Sequence, residues 1–140
     1  MLTAHLESLA IAGADSLLAH AEAAARRRGL ALCFAVVDGA GQLLAFRRMD
    51  GAGRISIDVA IGKARTAALF GKPNRMFEEM IDSGKASMLS VPGAVPIGGG
   101  LPVLRGGACL GGFGVSGATG AVDDEIASEA VDALSGELCA

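Results

Sequence analysis

Apolar residues recur at helical spacing across residues 3–28, at Leu6, Leu9, Ala10, Gly13, Leu17, Ala21 and Ala24. A stripe of that period marks one buried side of a helix. Arg26-Arg27-Arg28-Gly29 ends the pattern. Basic residues in a last turn suit the helix dipole, and glycine suits the position just beyond it. The three arginines are therefore read as a helix end, in preference to a basic binding patch.

The period then changes. Residues 30–37 and 42–49 form two strand-like runs around Asp38-Gly39-Ala40-Gly41, which predicts a β-hairpin. The first run is apolar throughout, as a central strand covered on both faces would be. Residues 56–70 return to helical spacing, with Ile57, Ala60, Ile61, Ala64, Ala67 and Ala68 on the packing side. Gly71-Lys72-Pro73 stops that helix, and Asn74 is the expected N-cap of a short one running to about residue 83. Residues 84–92 read as an irregular crossing segment. Residues 95–97, 101–104 and 108–115 are strand candidates, the last two joined at Gly106-Gly107. A final amphipathic helix over 121–138 turns Ile126, Ala130, Val131 and Leu134 inward, with Asp123, Asp124 and Glu125 near its positive end. Two hairpins make the sheet largely antiparallel. The expected fold is α+β: a single domain over residues 1–140, with helices covering a mostly antiparallel five-stranded sheet.

Composition narrows the classes of function. The chain has 140 residues, 51% of them hydrophobic and 19% charged, which is enough to bury a real core. A net charge of −3 gives no electrostatic reason to expect nucleic acid or an anionic membrane as partner. The longest apolar run, residues 31–37, is much too short to span a bilayer. The first residues lack the basic region and long apolar stretch of a signal peptide. Cys33, Cys109 and Cys139 are widely spaced and make no Cys-x-x-Cys pair, so they read as free thiols of a cytoplasmic protein.

Glycines crowd the stretch from Gly98 to Gly117, where they punctuate short apolar strands. Glycine is used where backbone approaches backbone or ligand closely, so this stretch is the first place to look for a site. Gly112-Phe113-Gly114-Val115-Ser116-Gly117 fits the spacing of a dinucleotide fingerprint, but only 23 residues follow it. No second parallel strand and no acidic ribose partner can follow, which argues against nucleotide binding. His5 and His20 fall on one expected helix roughly 22 Å apart along its axis, so they cannot share a metal ion within a chain. Either would serve as a lone axial haem ligand beside an apolar pocket. Arg48, Asp50, Lys63, Thr66 and Ser116 are the polar residues expected to converge. They offer a cation, hydroxyls and backbone donors suited to a carboxylate. The competing structural reading makes Arg48–Asp50 a rim ion pair and Lys63 a solvated helix residue.

Three segments, taken in order, resemble one family. They are Val36-Val37-Asp38-Gly39-Ala40-Gly41-Gln42-Leu43 with Arg48-Met49-Asp50-Gly51-Ala52, then Lys63-Ala64-Arg65-Thr66-Ala67, then Gly99-Gly100-Leu101-Pro102-Val103 with Gly111-Gly112-Phe113-Gly114-Val115-Ser116-Gly117 and Asp124-Glu125. This pattern resembles the GlcG/HbpS family (domain of unknown function 336), which includes the C-terminal domain of PduO-type proteins. The resemblance covers nearly the whole chain. It implies a five-stranded sheet flanked by helices, homo-oligomers from dimers to octamers, and haem binding in several members. The resulting expectation is a cytoplasmic, oligomeric haem- or small-ligand-binding protein. Arg48, Thr66, Gly99, Gly100 and Ser116 would line its site, Arg48 or Lys63 would pair with a propionate, and His20 is the axial candidate. The alternative is a small metal-independent catabolic enzyme acting on an anionic metabolite, with Lys63 or Asp50 as acid or base.

Overall fold

The computed structural model describes residues 1–139. Its helices are α1 (Ile11–Arg27), α2 (Ser56–Phe70), α3 (Asn74–Asp82) and α4 (Gly120–Leu138). Its strands are β1 (Cys33–Asp38), β2 (Leu43–Arg48), β3 (Gly100–Arg105) and β4 (Ala108–Ser116). The strands form one antiparallel sheet in the order β2-β1-β4-β3. Helices α1 and α4 cover one face, and α2 covers the other. Among the described residues, no helix is long and apolar enough to cross a membrane.

Strand β1 is buried on both faces, as its unbroken apolar run predicts. Phe34 and Val36 point into the α1/α4 layer, where Phe34 stacks on Phe113 with ring centroids 6.4 Å apart. Cys33, Ala35 and Val37 point to Ala60, Ala64 and Ala68 of α2. Helix α2 lies directly on the backbone of β4. A Cβ at Gly112 would sit 2.2 Å from the Ala64 carbonyl oxygen, and one at Gly114 would sit 2.1 Å from that of Ala60. The glycines and alanines of the two elements therefore belong to one close-packed seam.

The sheet has four strands, not five. Residues 95–97 belong to no strand, and Ile97 lies in a bend. The Val95 N–H donates to Thr66 Oγ1 (2.9 Å), and its carbonyl accepts from Asn74 Nδ2 (3.3 Å) and from the Ile97 N–H (2.9 Å). Pro96 has no N–H to offer. With these groups already paired to side chains and neighbours, no ladder is needed.

Helix α1 begins at Ile11, later than the apolar period suggests. The Leu9 N–H donates to the Leu110 carbonyl (2.8 Å), and Ser8 Oγ accepts from the Gly39 N–H (2.9 Å). These tertiary bonds hold residues 8 and 9 along the sheet and override the local period. Asn74 opens α3, but it does not cap it. Its side chain is buried and donates to the carbonyls of Lys63 (3.0 Å) and Val95 (3.3 Å). The arginines that end α1 also do more than complement a dipole. Arg27 pairs with Glu129, and Arg28 pairs with Glu125 at 2.7 Å, which ties α1 to α4.

Candidate functional site

The N-terminal half of α2, the start of β3 and the end of β4 meet at one end of the sheet. Lys63 is buried there, its side chain 2% exposed. Its Nζ donates to the Val115 carbonyl (2.9 Å) and to Asp123 Oδ2 (3.0 Å). The other oxygen of Asp123 accepts from the Ala118 N–H at 3.0 Å. Both charges are thus desolvated and partnered, which is the condition for a buried ion pair to be tolerated. Gly99 and Gly100 close over the pair. A Cβ at Gly99 would sit 3.0 Å from Lys63 Nζ, and one at Gly100 would sit 2.5 Å from the Lys63 carbonyl oxygen.

Lys63, Gly99 and Gly100 therefore come together, but around Asp123 and not around an open space. An ammonium held by a carboxylate and a carbonyl, with no solvent access, is poorly placed to exchange protons with a substrate. Asp123 reads in the sequence as one of three acids at a helix start. Its spacing to Ile126, Ala127 and Ala130 puts it on the inward stripe of α4, and that is the signal by which it could be found.

Ser116 lies on the same face of the sheet as α2. The register runs Arg48↔Cys33↔Ser116 across β2, β1 and β4, so Arg48 shares a cross-strand row with Ser116. Arg48 is exposed and, among the described residues, makes no ion pair; Asp50 is exposed in the turn beyond it. The rim pair between them does not form. Burial pushes the Cys33 thiol up from its ordinary pKa, with the nearby Arg48 charge acting in the opposite direction.

His20 stands apart from these residues. It is on α1, across the sheet from α2, with its side chain 43% exposed and Nε2 2.7 Å from Glu137 Oε1. Ser16 Oγ donates to the same carboxylate at 2.7 Å. The bonds from His20 and Ser16 hold the Glu137 carboxyl below its usual pKa. His5 sits exposed in the segment before α1.

A cleft of about 170 Å³ opens at the other end of α2, between its last turns, α3 and residues 91–94. Arg65, Thr66, Leu69, Phe70, Phe77 and Val91 line it. Phe77 is buried, and the centroid of the Phe70 ring lies 3.8 Å from that of Phe77, so the two form an aromatic floor. Thr66 Oγ1 is held in place by donating to the Gly62 carbonyl (2.7 Å) while accepting from Val95. Of the residues expected to bind ligand, only Thr66 lines this cleft.

The family model described as "Haem degrading protein HbpS-like" matches residues 9–132. The chain belongs to the HbpS-like family. This HbpS-like protein is 35% identical to Protein GlcG of Escherichia coli over 103 residues, covering 74% of this chain and 77% of the relative. Its structure matches that of Klebsiella pneumoniae protein ORFY, described as DUF336, with a TM-score of 0.91 and 28% identity over 96% of each chain. It also matches a PduOC:haem complex with a TM-score of 0.82 and 25% identity, over 90% of this chain and 94% of that one. The three ordered sequence signatures thus identify the family correctly.

The cleft of the HbpS-like protein fits part of what haem requires. It offers an aromatic floor, aliphatic walls and a guanidinium at the rim for an acid group. Its lining contains no His, Cys, Met or Tyr, so it supplies no axial ligand.

Proposed function

We propose that this HbpS-like protein is an oligomeric ligand-binding protein. Its cleft between α2, α3 and residues 91–94 takes an apolar molecule bearing an acid group. Haem is one such molecule, and the haem complex of a structural relative supports including it. The observation that carries the reading is the cleft itself: Phe70 and Phe77 under an apolar wall, with the exposed Arg65 beside them. An apolar concavity with a few placed polar groups is the usual form of a small-molecule site. A porphyrin bound here would rest on Phe70 and Phe77 with Arg65 beside an acid group, and any iron ligand would have to come from outside this lining. The enzymatic alternative has no support in the geometry, since Lys63 is locked to Asp123 and Asp50 stands in an exposed turn.

Titration with hemin, followed by absorbance in the Soret region, tests the proposal. Saturable binding is expected, and Arg65→Ala should weaken it about tenfold, the worth of one charge-assisted contact. Phe70→Ala should also weaken it, while His20→Ala should leave it unchanged. No spectral change at micromolar hemin, and none with the metal-free porphyrin, would contradict the proposal. Oligomerisation is expected from the large exposed apolar side chains, among them Leu43, Ile55 and Leu69, and light scattering on the purified protein measures it.

A further inference from the structure

We infer that the molecule this cleft encloses is a compact monocarboxylic acid: one ring on a short arm that ends in a single carboxylate. The inference rests on the proposed reading of the cleft and deepens it, by fixing the ligand's size and its number of acid groups.

Size follows from the cavity. The cleft holds about 170 Å³. A dry apolar cavity of about 150 Å³ takes one benzene ring, whereas sites for drug-sized molecules run to about 300–1,000 Å³. One ring with a short arm therefore fills this space. A tetrapyrrole enters it only by an edge, as one pyrrole with its propionate. The wall of residues 91–94 is also anchored against widening. It runs into Val95, whose N–H donates to Thr66 Oγ1 at 2.9 Å and whose carbonyl accepts from Asn74 Nδ2 at 3.3 Å. Thr66 and Asn74 are both buried, so drawing the wall outward would strip them of partners in the interior.

The lining sets the chemistry. Phe77 is only 1% exposed, but Phe70 keeps 43% exposure, Leu69 64% and Val91 37%. These three side chains all line the cleft, so it offers a ring apolar surface that the protein itself leaves uncovered. The donors fix the number of acid groups. Thr66 donates its one hydroxyl hydrogen to the Gly62 carbonyl at 2.7 Å and has none left for a ligand. Arg65 is then the one side-chain donor of the lining that is free to bind, and the lining holds no Asp or Glu. Among the described residues its guanidinium makes no ion pair. One guanidinium matches one carboxylate through two parallel N–H···O bonds. A second acid group would enter with no side-chain partner.

The test is a titration of the full-length protein with sodium 3-phenylpropionate at constant ionic strength, followed by amide ¹H–¹⁵N shifts. Saturable shifts are expected at residues 65–70 and 91–94. Arg65→Gln should raise the midpoint about tenfold, and so should replacing the acid by the neutral 3-phenylpropanol. The two-ring acid 3-(2-naphthyl)propionate should bind within about threefold of the one-ring acid, because a fully enclosed second ring would bind well over tenfold tighter. A naphthyl acid that does bind more than tenfold tighter would overturn the size limit. Equal midpoints for 3-phenylpropanol, for sodium acetate or for Arg65→Gln would overturn the one-ring acid as ligand. If a metal-free porphyrin shifts residues 65–77 and 91–94 while 3-phenylpropionate shifts nothing, this inference fails and the cleft reading stands. If neither molecule shifts them, both fail.

Discussion

Lys63 carries the lesson at the scale of single residues. Its place on α2 is legible from the helical period, and so is its nearness to the glycine-rich strands. What it does there depends on Asp123, which is 60 residues away in the chain. No local pattern pairs the two. The pair makes a direct prediction: Asp123→Asn strands an ammonium in the interior and should destabilise the fold by about 3–5 kcal/mol in urea unfolding. The double change Lys63→Met with Asp123→Leu removes both charges and should recover most of that loss. A single variant within about 0.5 kcal/mol of wild type would show that the pair is not desolvated as described. The same residue scale bears on His20. His20 has the chemistry of an axial ligand, but its neighbours Ser16 and Glu137 make it part of a polar contact between α1 and α4.

At the scale of elements, periodicity served well wherever one face of an element decides its packing. Helix α2 spans the residues its alanine stripe predicts, and both hairpins form where the turn residues predict them. Periodicity failed where tertiary hydrogen bonds decide. Residues 8 and 9 look helical and are held along the sheet, while residues 95–97 look like a strand and are held by Thr66 and Asn74. The close seam between α2 and β4 gives the sharpest prediction at this scale. Gly114→Ala drives a methyl group into the Ala60 carbonyl and should cost about 1–3 kcal/mol or more, because neither backbone can yield without moving α2 off the sheet. Gly136→Ala has nothing within 4 Å of the new methyl and lies in a helix, so it should stabilise by about 0.5–1 kcal/mol. Urea unfolding of the two variants side by side checks both signs. Equal effects would mean that the seam is looser than the distances indicate.

At the scale of the whole molecule, the class of fold and the family could be read from three ordered signatures. The cleft could not. Its floor joins Phe70 at the end of α2 to Phe77 in α3, and its wall comes from residues 91–94, a segment with no regular period to announce it. The glycine-rich stretch drew attention to the middle of α2, where Lys63 is buried against Asp123, Gly99 and Gly100. The central claim is therefore one of place: an apolar acid binds at the cleft and not beside His20. Amide ¹H–¹⁵N shift mapping with a diamagnetic, metal-free porphyrin tests that most directly. The largest shifts should fall at residues 65–77 and 91–94, and they should vanish in a Phe70→Ala, Arg65→Ala double variant. Shifts centred on His20 and Glu137, or binding unaltered by the double variant, would contradict it.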